Sequence, residues 1–335
     1  MIINRTPFRI SFSGGGSDLA AFYTQHEGCV LSTAINKYMY LIAHPFAVKD
    51  QIQVKYSKTE LANAVEEIKH PIIRKVLELL NIKKGIEIAS FADISAGTGL
   101  GSSSSFTVGV LHCLNSYLNN YVSKDYLAQT ACRIEIEELK EPIGKQDQYA
   151  AAFGGLNFIQ FKQDGTVQVE PIMIGKDRIT QLQNNLLMFF TGSTRAAKSI
   201  LSEQKQNMVA DTVKVGNLIR MTELTRELKK ILYTGSLDDF GRILHEGWQL
   251  KQTLASKISN DEINLLYEKG IREGKALGGK LLGAGGAGYL LFYCSQEFQP
   301  ALRSAMKELT ELRFTFDFNG SNIIFYDNNV NNLSG

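Results

Sequence analysis

Between Ile94 and Leu111 the chain reads ISAGTGLGSSSSFTVGVL. Gly97, Gly99 and Gly101 alternate with Thr98 and Leu100, the serines Ser102–Ser105 follow, and the apolar run FTVGVLHCL begins at once. Glycines reach backbone conformations closed to other residues, so they mark a tight loop. It lies between the short alternating strand GIEIAS (Gly85–Ser90) and a helix expected from about Ser104 to Leu118. A helix N-terminus presents unpaired N–H groups and the positive end of its dipole, which favours a phosphate there. Serine hydroxyls can add hydrogen bonds or ligate Mg²⁺, a hard ion that takes oxygen ligands and is commonly shared with substrate phosphates. The plain alternative is a flexible loop closed by a serine N-cap. The shortness of the segment, held between an apolar strand and an apolar helix, favours phosphate binding.

Length and composition limit the rest. A chain of 335 residues fits one large domain or two ordinary ones, and 44% apolar with 21% charged residues suits a full core. A net charge of +2, with basic residues dispersed, gives no reason to expect nucleic acid or a membrane surface as partner. Cys29, Cys113, Cys132 and Cys294 lie far apart without metal-ligand spacing and read as buried thiols. The start has no secretory pattern, and no apolar run approaches the roughly 20 residues of a membrane span. The expectation is a soluble, cytoplasmic protein, monomer or homodimer.

Strands are expected over Ile2–Phe12, Cys29–Ile42, Gln51–Tyr56, and the pair Leu156–Phe161 and Val167–Pro171 around the Asp164-Gly165 turn. Helices are expected over residues 60–80, over Asp125–Leu139 with Ser123 as N-cap, over most of Thr194–Ser256 with a break near TGSLDD, and over Asp261–Glu273. GYLLFYC, RFTFDF and NIIFYD read as late strands. The change of character near residue 175 suggests domains over 1–175 and 176–335.

Three further stretches carry chemistry. RTPFRISFSGGGSDLAAFY (Arg5–Tyr23) places Gly14, Gly15 and Gly16 after a strand, so a ligand can approach the main chain. Asp18 there could bind substrate hydroxyls or cap the helix that follows. GGKLLGAGGAGYLLFYC (Gly278–Cys294) imitates two motifs without completing either. Gly283, Gly285 and Gly288 match GxGxxG but precede a strand; Lys280 follows P-loop-like glycines, but Leu281 replaces the required Ser or Thr. What remains is a glycine-dense turn that could pack closely on a ligand or another loop. In RIEIEELKEPIGKQDQYAAAFGG (Arg133–Gly155), Asp147 opens an Ala-rich helix and could act as general base or as a dipole-favoured first-turn acid.

The order of these motifs resembles the GHMP kinases, the superfamily of galactokinase, homoserine kinase, mevalonate kinase and phosphomevalonate kinase. Its three motifs look like TPFRISFSGGGSD, SAGTGLGSSSSFTVGVL and KLLGAGGAGYLLF. The resemblance implies an α+β, two-domain fold, with a ribosomal protein S5 domain 2-like N-terminal domain and a ferredoxin-like C-terminal domain. It implies ATP with Mg²⁺ as cofactors. FRISFSGGGSDLAAFY, EPIGKQDQYAAAFGG and FTGSTRAA look most like the D-glycero-D-manno-heptose 7-phosphate kinases. Galactokinases typically carry Gly-Glu-His-Thr-Asp where this chain has Gly14–Asp18 as Gly-Gly-Gly-Ser-Asp.

By the same resemblance, Asp147 is the catalytic aspartate and Arg9 the basic residue beside the transferring phosphoryl group. Asp18, with Gly15, Gly16 and Ser17, binds the sugar. Gly97, Gly99, Leu100, Gly101, Ser102, Ser103, Ser104 and Ser105 hold the ATP phosphates. Ser103 and Glu135 ligate Mg²⁺, with Ser102 and Ser104, and Glu137 and Glu138, as neighbouring choices. Arg195, with Lys198 nearby, or Lys145 supplies a cation for a phosphate already on the substrate. The implied partners are a small-molecule sugar phosphate and ATP. A kinase for an unphosphorylated sugar such as fucose, or a non-catalytic sugar or nucleotide sensor of the same fold, are the other readings.

Overall fold

The computed structural model describes residues 1–192 and 198–327. Its first half is built around β1 (Ile2–Ser13) and the long β2 (Gly28–Pro45), joined by the glycine turn and the short α1 (Ala20–Tyr23). There follow β3 (Ile52–Lys55), β4 (Thr59–Ala62), α2 (Pro71–Leu79), β5 (Ile86–Ala92), α3 (Ser102–Tyr117) and α4 (Lys124–Cys132). A π-helical turn, Arg133–Glu138, extends α4, and α5 (Gln146–Phe153), β6 (Leu156–Phe161) and β7 (Val167–Pro171) complete this half. The second half comprises α6 (Lys176–Asn184), β8 (Leu186–Phe190), α7 (Lys198–Ala210), α8 (Thr212–Thr234), α9 (Leu237–Gln252), α10 (Asp261–Arg272), β9 (Gly278–Leu281), β10 (Tyr289–Tyr293), α11 (Gln299–Ala305), β11 (Thr310–Glu311) and β12 (Asn322–Tyr326).

Two sheets result. In the eight-stranded sheet, β2 pairs with β1 along its length, with β6 through Gly28–Thr33 and with β5 through Met39–Pro45. Against it lies α3, buried from Ser104 to Leu111, as expected of a helix apolar nearly all round. A methyl at Gly109 would stand 2.8 Å from a Leu41 Cδ, so glycine sets this helix's distance from β2. The four-stranded sheet has the antiparallel order β11-β8-β10-β9. With helices between β8 and β9 and between β10 and β11, this is the ferredoxin-like arrangement that the motif resemblance implied. β12 then returns to the first sheet and pairs with β1, so both halves meet beside the strand that carries Arg9.

Two expected elements differ. The helix expected over 60–80 exists only from Pro71; before it the chain forms β4 and a 3₁₀ turn at Val65–Glu67. Proline lacks an N–H and keeps its predecessor extended, so it begins a helix more readily than it continues one. RFTFDF is not a full strand. It crosses between the sheets, touching Ile35 through one bridge at Phe316, with Phe316 buried in the core. Its phenylalanines form no ladder: Phe314 and Phe316 pack on the core, while Phe318 is exposed. The four cysteines are free and buried, as expected. Among the described residues no helix is long and apolar enough to cross a membrane.

Candidate active site

A cleft of about 750 Å³ runs between the two halves, with the loop before α3 along one wall. Gly97, Gly99 and Gly101 take φ of 78°, 84° and 76°, the left-handed region that favours glycine. The turn after β9 packs directly on this loop. A methyl at Gly283 would fall 2.5 Å from the Gly99 Cα, and one at Gly99 would fall 2.3 Å from the Leu282 carbonyl oxygen. The two glycine motifs are therefore one structure, main chain against main chain.

Arg9 joins this loop to α5. Its Nε and Nη2 donate to the two Asp147 carboxylate oxygens, each at 2.8 Å, and its Nη1 donates to the Gly99 carbonyl at 2.6 Å. A fork-on-fork pair of this kind fixes orientation as well as charge. Asp147 lies in the first turn of α5 and lines the cleft beside Gly101. Asp18 does not cap α1, whose N-cap is Leu19. Its carboxylate accepts from the Gly16 N–H at 2.8 Å and the Gln146 N–H at 3.2 Å, which ties the first glycine turn to α5. Burial pushes the Asp18 carboxyl up and the nearby Asp147 adds to the rise, against the Gly16 hydrogen bond that lowers it. Gly144 makes room for it, since a methyl there would sit 2.0 Å from an Asp18 oxygen.

Glu135, almost wholly buried in the π-helical turn, reaches back to α3. Ser103 Oγ donates to it at 3.2 Å, Ser104 Oγ at 2.9 Å and Gln148 Nε2 at 2.6 Å. Burial raises its carboxyl to about 7, opposed chiefly by the Gln148 and Ser104 hydrogen bonds. Ser103 and Glu135 are thus brought together, and Ser104 joins them. Among the described residues it is Glu135, not Glu137 or Glu138, that the Ser103 and Ser104 hydroxyls meet. Glu138 faces Arg133 at 3.5 Å, and none of the three glutamates is among the residues lining the cleft.

Other site residues expected from the sequence stand elsewhere. The fully buried Ser105 turns its hydroxyl to the Pro7 carbonyl at 2.8 Å, fastening α3 to β1. Ser17 is likewise buried and bonds the Gly14 and Cys29 carbonyls, closing the first glycine turn. The side chain of Leu100 is in the core and only its carbonyl is used, accepting from the Arg9 N–H. Lys145 points to the β6–β7 hairpin, its ammonium 2.7 Å from the Gly165 carbonyl. Arg195 lies outside the described residues. Ser105→Ala is therefore expected to cost about 1 kcal/mol of stability and leave kcat unchanged, read by thermal melting beside steady-state rates.

This constellation is matched by family comparison. A model of the GHMP kinases N terminal domain matches residues 63–155, and one of the GHMP kinases C terminal domain matches residues 224–312. The chain belongs to the GHMP kinase family. It is 30% identical over 303 residues to the D-glycero-alpha-D-manno-heptose 7-phosphate kinase of Campylobacter jejuni, covering 87% of this chain and 89% of that one. A galactokinase of Pyrococcus furiosus is 25% identical, with 85% and 86% covered. In fold, the crystal structure of a D-glycero-D-manno-heptose 1-phosphate kinase from Bacteriodes thetaiotaomicron superposes with a TM-score of 0.82 at 22% identity, over 98% of this chain and 100% of that one.

Three groups lining this GHMP kinase cleft were not assigned a place in it from sequence. One end is aromatic: His70 stacks on Phe106 at 4.8 Å and meets the edge of Tyr56 at 4.9 Å. Gln146 is the second, beside Gly15. The third is a pair of buried lysines, Lys251 of α9 and Lys280 of β9. Their signal was present: Leu237, Phe240, Leu244, Trp248 and Lys251 fall on the buried stripe of α9, where a charge is out of place.

Proposed function

We propose that the chain transfers the γ-phosphoryl group of ATP to the anomeric C1 hydroxyl of D-glycero-D-manno-heptose 7-phosphate, giving the 1,7-bisphosphate and ADP. The observation that carries this reading is the Arg9–Asp147 pair, set between the phosphate loop at Gly99 and the Asp18–Gly16 turn. The Campylobacter relative supports the acceptor.

On this reading Gly97–Ser104 and the N-terminus of α3 hold the ATP phosphates, and the His70–Phe106 end takes the base. Gly15, Gly16 and Asp18 hold the sugar so that its C1 hydroxyl faces Asp147. The hydroxyl oxygen bonds to the γ-phosphorus, the bond from that phosphorus to the β–γ bridging oxygen breaks, and the proton passes to Asp147. Arg9 orients the carboxylate and places a fixed positive charge beside the transferring group.

Glu135, Ser103 and Ser104 present only oxygen donors, a set suited to Mg²⁺. The buried Glu135 carboxylate, with the Ser103 and Ser104 hydroxyls beside it, would hold the ion. Mg²⁺ bound there neutralises phosphate charge. Glu135→Gln is expected to raise the Mg²⁺ concentration for half-maximal rate roughly tenfold or more, with the affinity for metal-free ATP unchanged. An unchanged Mg²⁺ titration removes Glu135 as a ligand.

The decisive experiment is ADP release over a panel of sugars and sugar phosphates, followed by identification of the product. Release confined to heptose 7-phosphate with phosphate added at C1 supports the reading. Turnover of fucose alone, or sugar binding without ADP release, overturns it.

A further inference from the structure

Lys251 and Lys280 come from different elements of the second half, yet both ammonium groups are buried against the first, Lys280 on the end of β1 and Lys251 on the glycine turn that follows it. Lys251 Nζ donates to the Gly15 carbonyl at 3.0 Å and to Gln204 Oε1 at 3.2 Å. Lys280 Nζ donates to the Ser11 and Phe12 carbonyls at 2.8 and 3.2 Å. They are 5% and 8% exposed, and among the described residues no carboxylate lies within ion-pair distance of either. An ammonium has three donors, so each retains one beyond these contacts. Between them, Ser11 Oγ is also buried, lines the cleft and has no hydrogen-bond partner among the described residues.

Buried cations are normally paired with anions, because desolvation is costly otherwise. At Lys280 the charged neighbours increase the cost. Burial lowers Lys280 to about 7, with Lys251 and Arg9 adding repulsion, and lowers Lys251 to about 8 against the opposing field of Asp18. Asp18 offsets part of the cost at Lys251 but forms no ion pair with either lysine, and its oxygens already accept from the Gly16 and Gln146 N–H groups. Arg9 is already committed to Asp147. Two lysines and an unused hydroxyl facing one cleft make a site for a multiply charged oxyanion.

We propose that Lys251 and Lys280, with the Ser11 hydroxyl, seat the phosphate ester carried by the acceptor sugar. This rests on the sugar-phosphate reading given above and assigns that phosphate to the floor of the cleft, in place of Arg195. A neutral sugar leaves both ammonium groups without an ion-pair partner, so the seat selects phosphorylated acceptors.

Calorimetry on the full chain without ATP tests it, with D-glycero-D-manno-heptose 7-phosphate and unphosphorylated D-glycero-D-manno-heptose as probes. Wild-type protein is expected to prefer the phosphate ester. Lys251→Met and Lys280→Met are each expected to weaken its binding roughly 10- to 100-fold, with the binding of the unphosphorylated sugar and of ATP unchanged. Wild-type preference for the unphosphorylated sugar overturns the sugar-phosphate reading itself. Wild-type preference for the ester that survives in both lysine variants, or that is removed by Arg195→Ala instead, overturns the seat alone. So does a loss of ATP affinity in place of acceptor affinity in variants whose melting temperature is unchanged. Should a Met variant fail to fold, Lys251→Gln and Lys280→Gln, which can still donate to the same carbonyls, decide in the same way.

Discussion

Asp147→Asn is expected to lower kcat by roughly two to four orders of magnitude, the range that general-base groups contribute, while the Kd for ATP stays close to wild type. Asparagine keeps the side-chain oxygen that meets the Arg9 Nε but cannot take up the hydroxyl proton. The carboxylate also accepts from Arg9 Nη2, and an amide placed there would present a donor to a donor. Part of the loss therefore comes from Arg9 losing its orientation. Single-turnover rates with ATP pre-bound separate the two: a slow chemical step with normal ATP binding is the expected pattern. Near-normal turnover would remove Asp147 as the base.

The second large effect is expected from Gly99→Ala, which adds one methyl group. Gly99 has a φ of 84°, and the new Cβ would lie 2.3 Å from the Leu282 carbonyl oxygen and 2.7 Å from its carbon. A non-glycine residue in that conformation costs roughly 1–2 kcal/mol, and overpacking adds about 1–3 kcal/mol. The clash is with main chain on β9 and its turn, so no side chain can rotate away. Either the Gly97–Gly101 loop or the Leu282–Gly283 turn must shift. Because the Gly99 carbonyl also accepts from Arg9 Nη1, the displacement reaches Asp147. A displacement of about 1 Å can cost 100-fold, and kcat/KM for ATP is expected to fall by at least that much together with a lower melting temperature. Wild-type kcat/KM at an unchanged melting temperature would show that the two loops are not locked together.

Both predictions concern residues that were legible in the sequence, and the reasons differ. The alternation of Gly97, Gly99 and Gly101 ahead of an apolar helix speaks for itself, because only glycine adopts those angles freely. Asp147 was locally ambiguous between base and helix-dipole acid; the structure adds its two-point contact with Arg9, on which the proposed role as base rests. Ser105 and Ser17 show the opposite case. Both belong to convincing motif stretches, yet their hydroxyls are structural: Ser17 closes the first glycine turn and Ser105 fastens α3 to β1. Lys280 was read as part of an incomplete P-loop, and its neighbour across the cleft, Lys251, sits in an otherwise unremarked helix.

The sequence by itself determined where the chain must bend tightly, where its strands and apolar helices run, and which family its ordered glycine motifs belong to. These depend on backbone conformation and local periodicity, which adjacent residues control. Only the tertiary structure decided which serine hydroxyls reach Glu135, that the third glycine motif braces the second, and that Ser11, Lys251 and Lys280 share one cleft. Those facts depend on strands and helices separated by up to 269 positions, as between Ser11 and Lys280. Side-chain direction at such contacts is set by packing across the two sheets, and no local pattern encodes it.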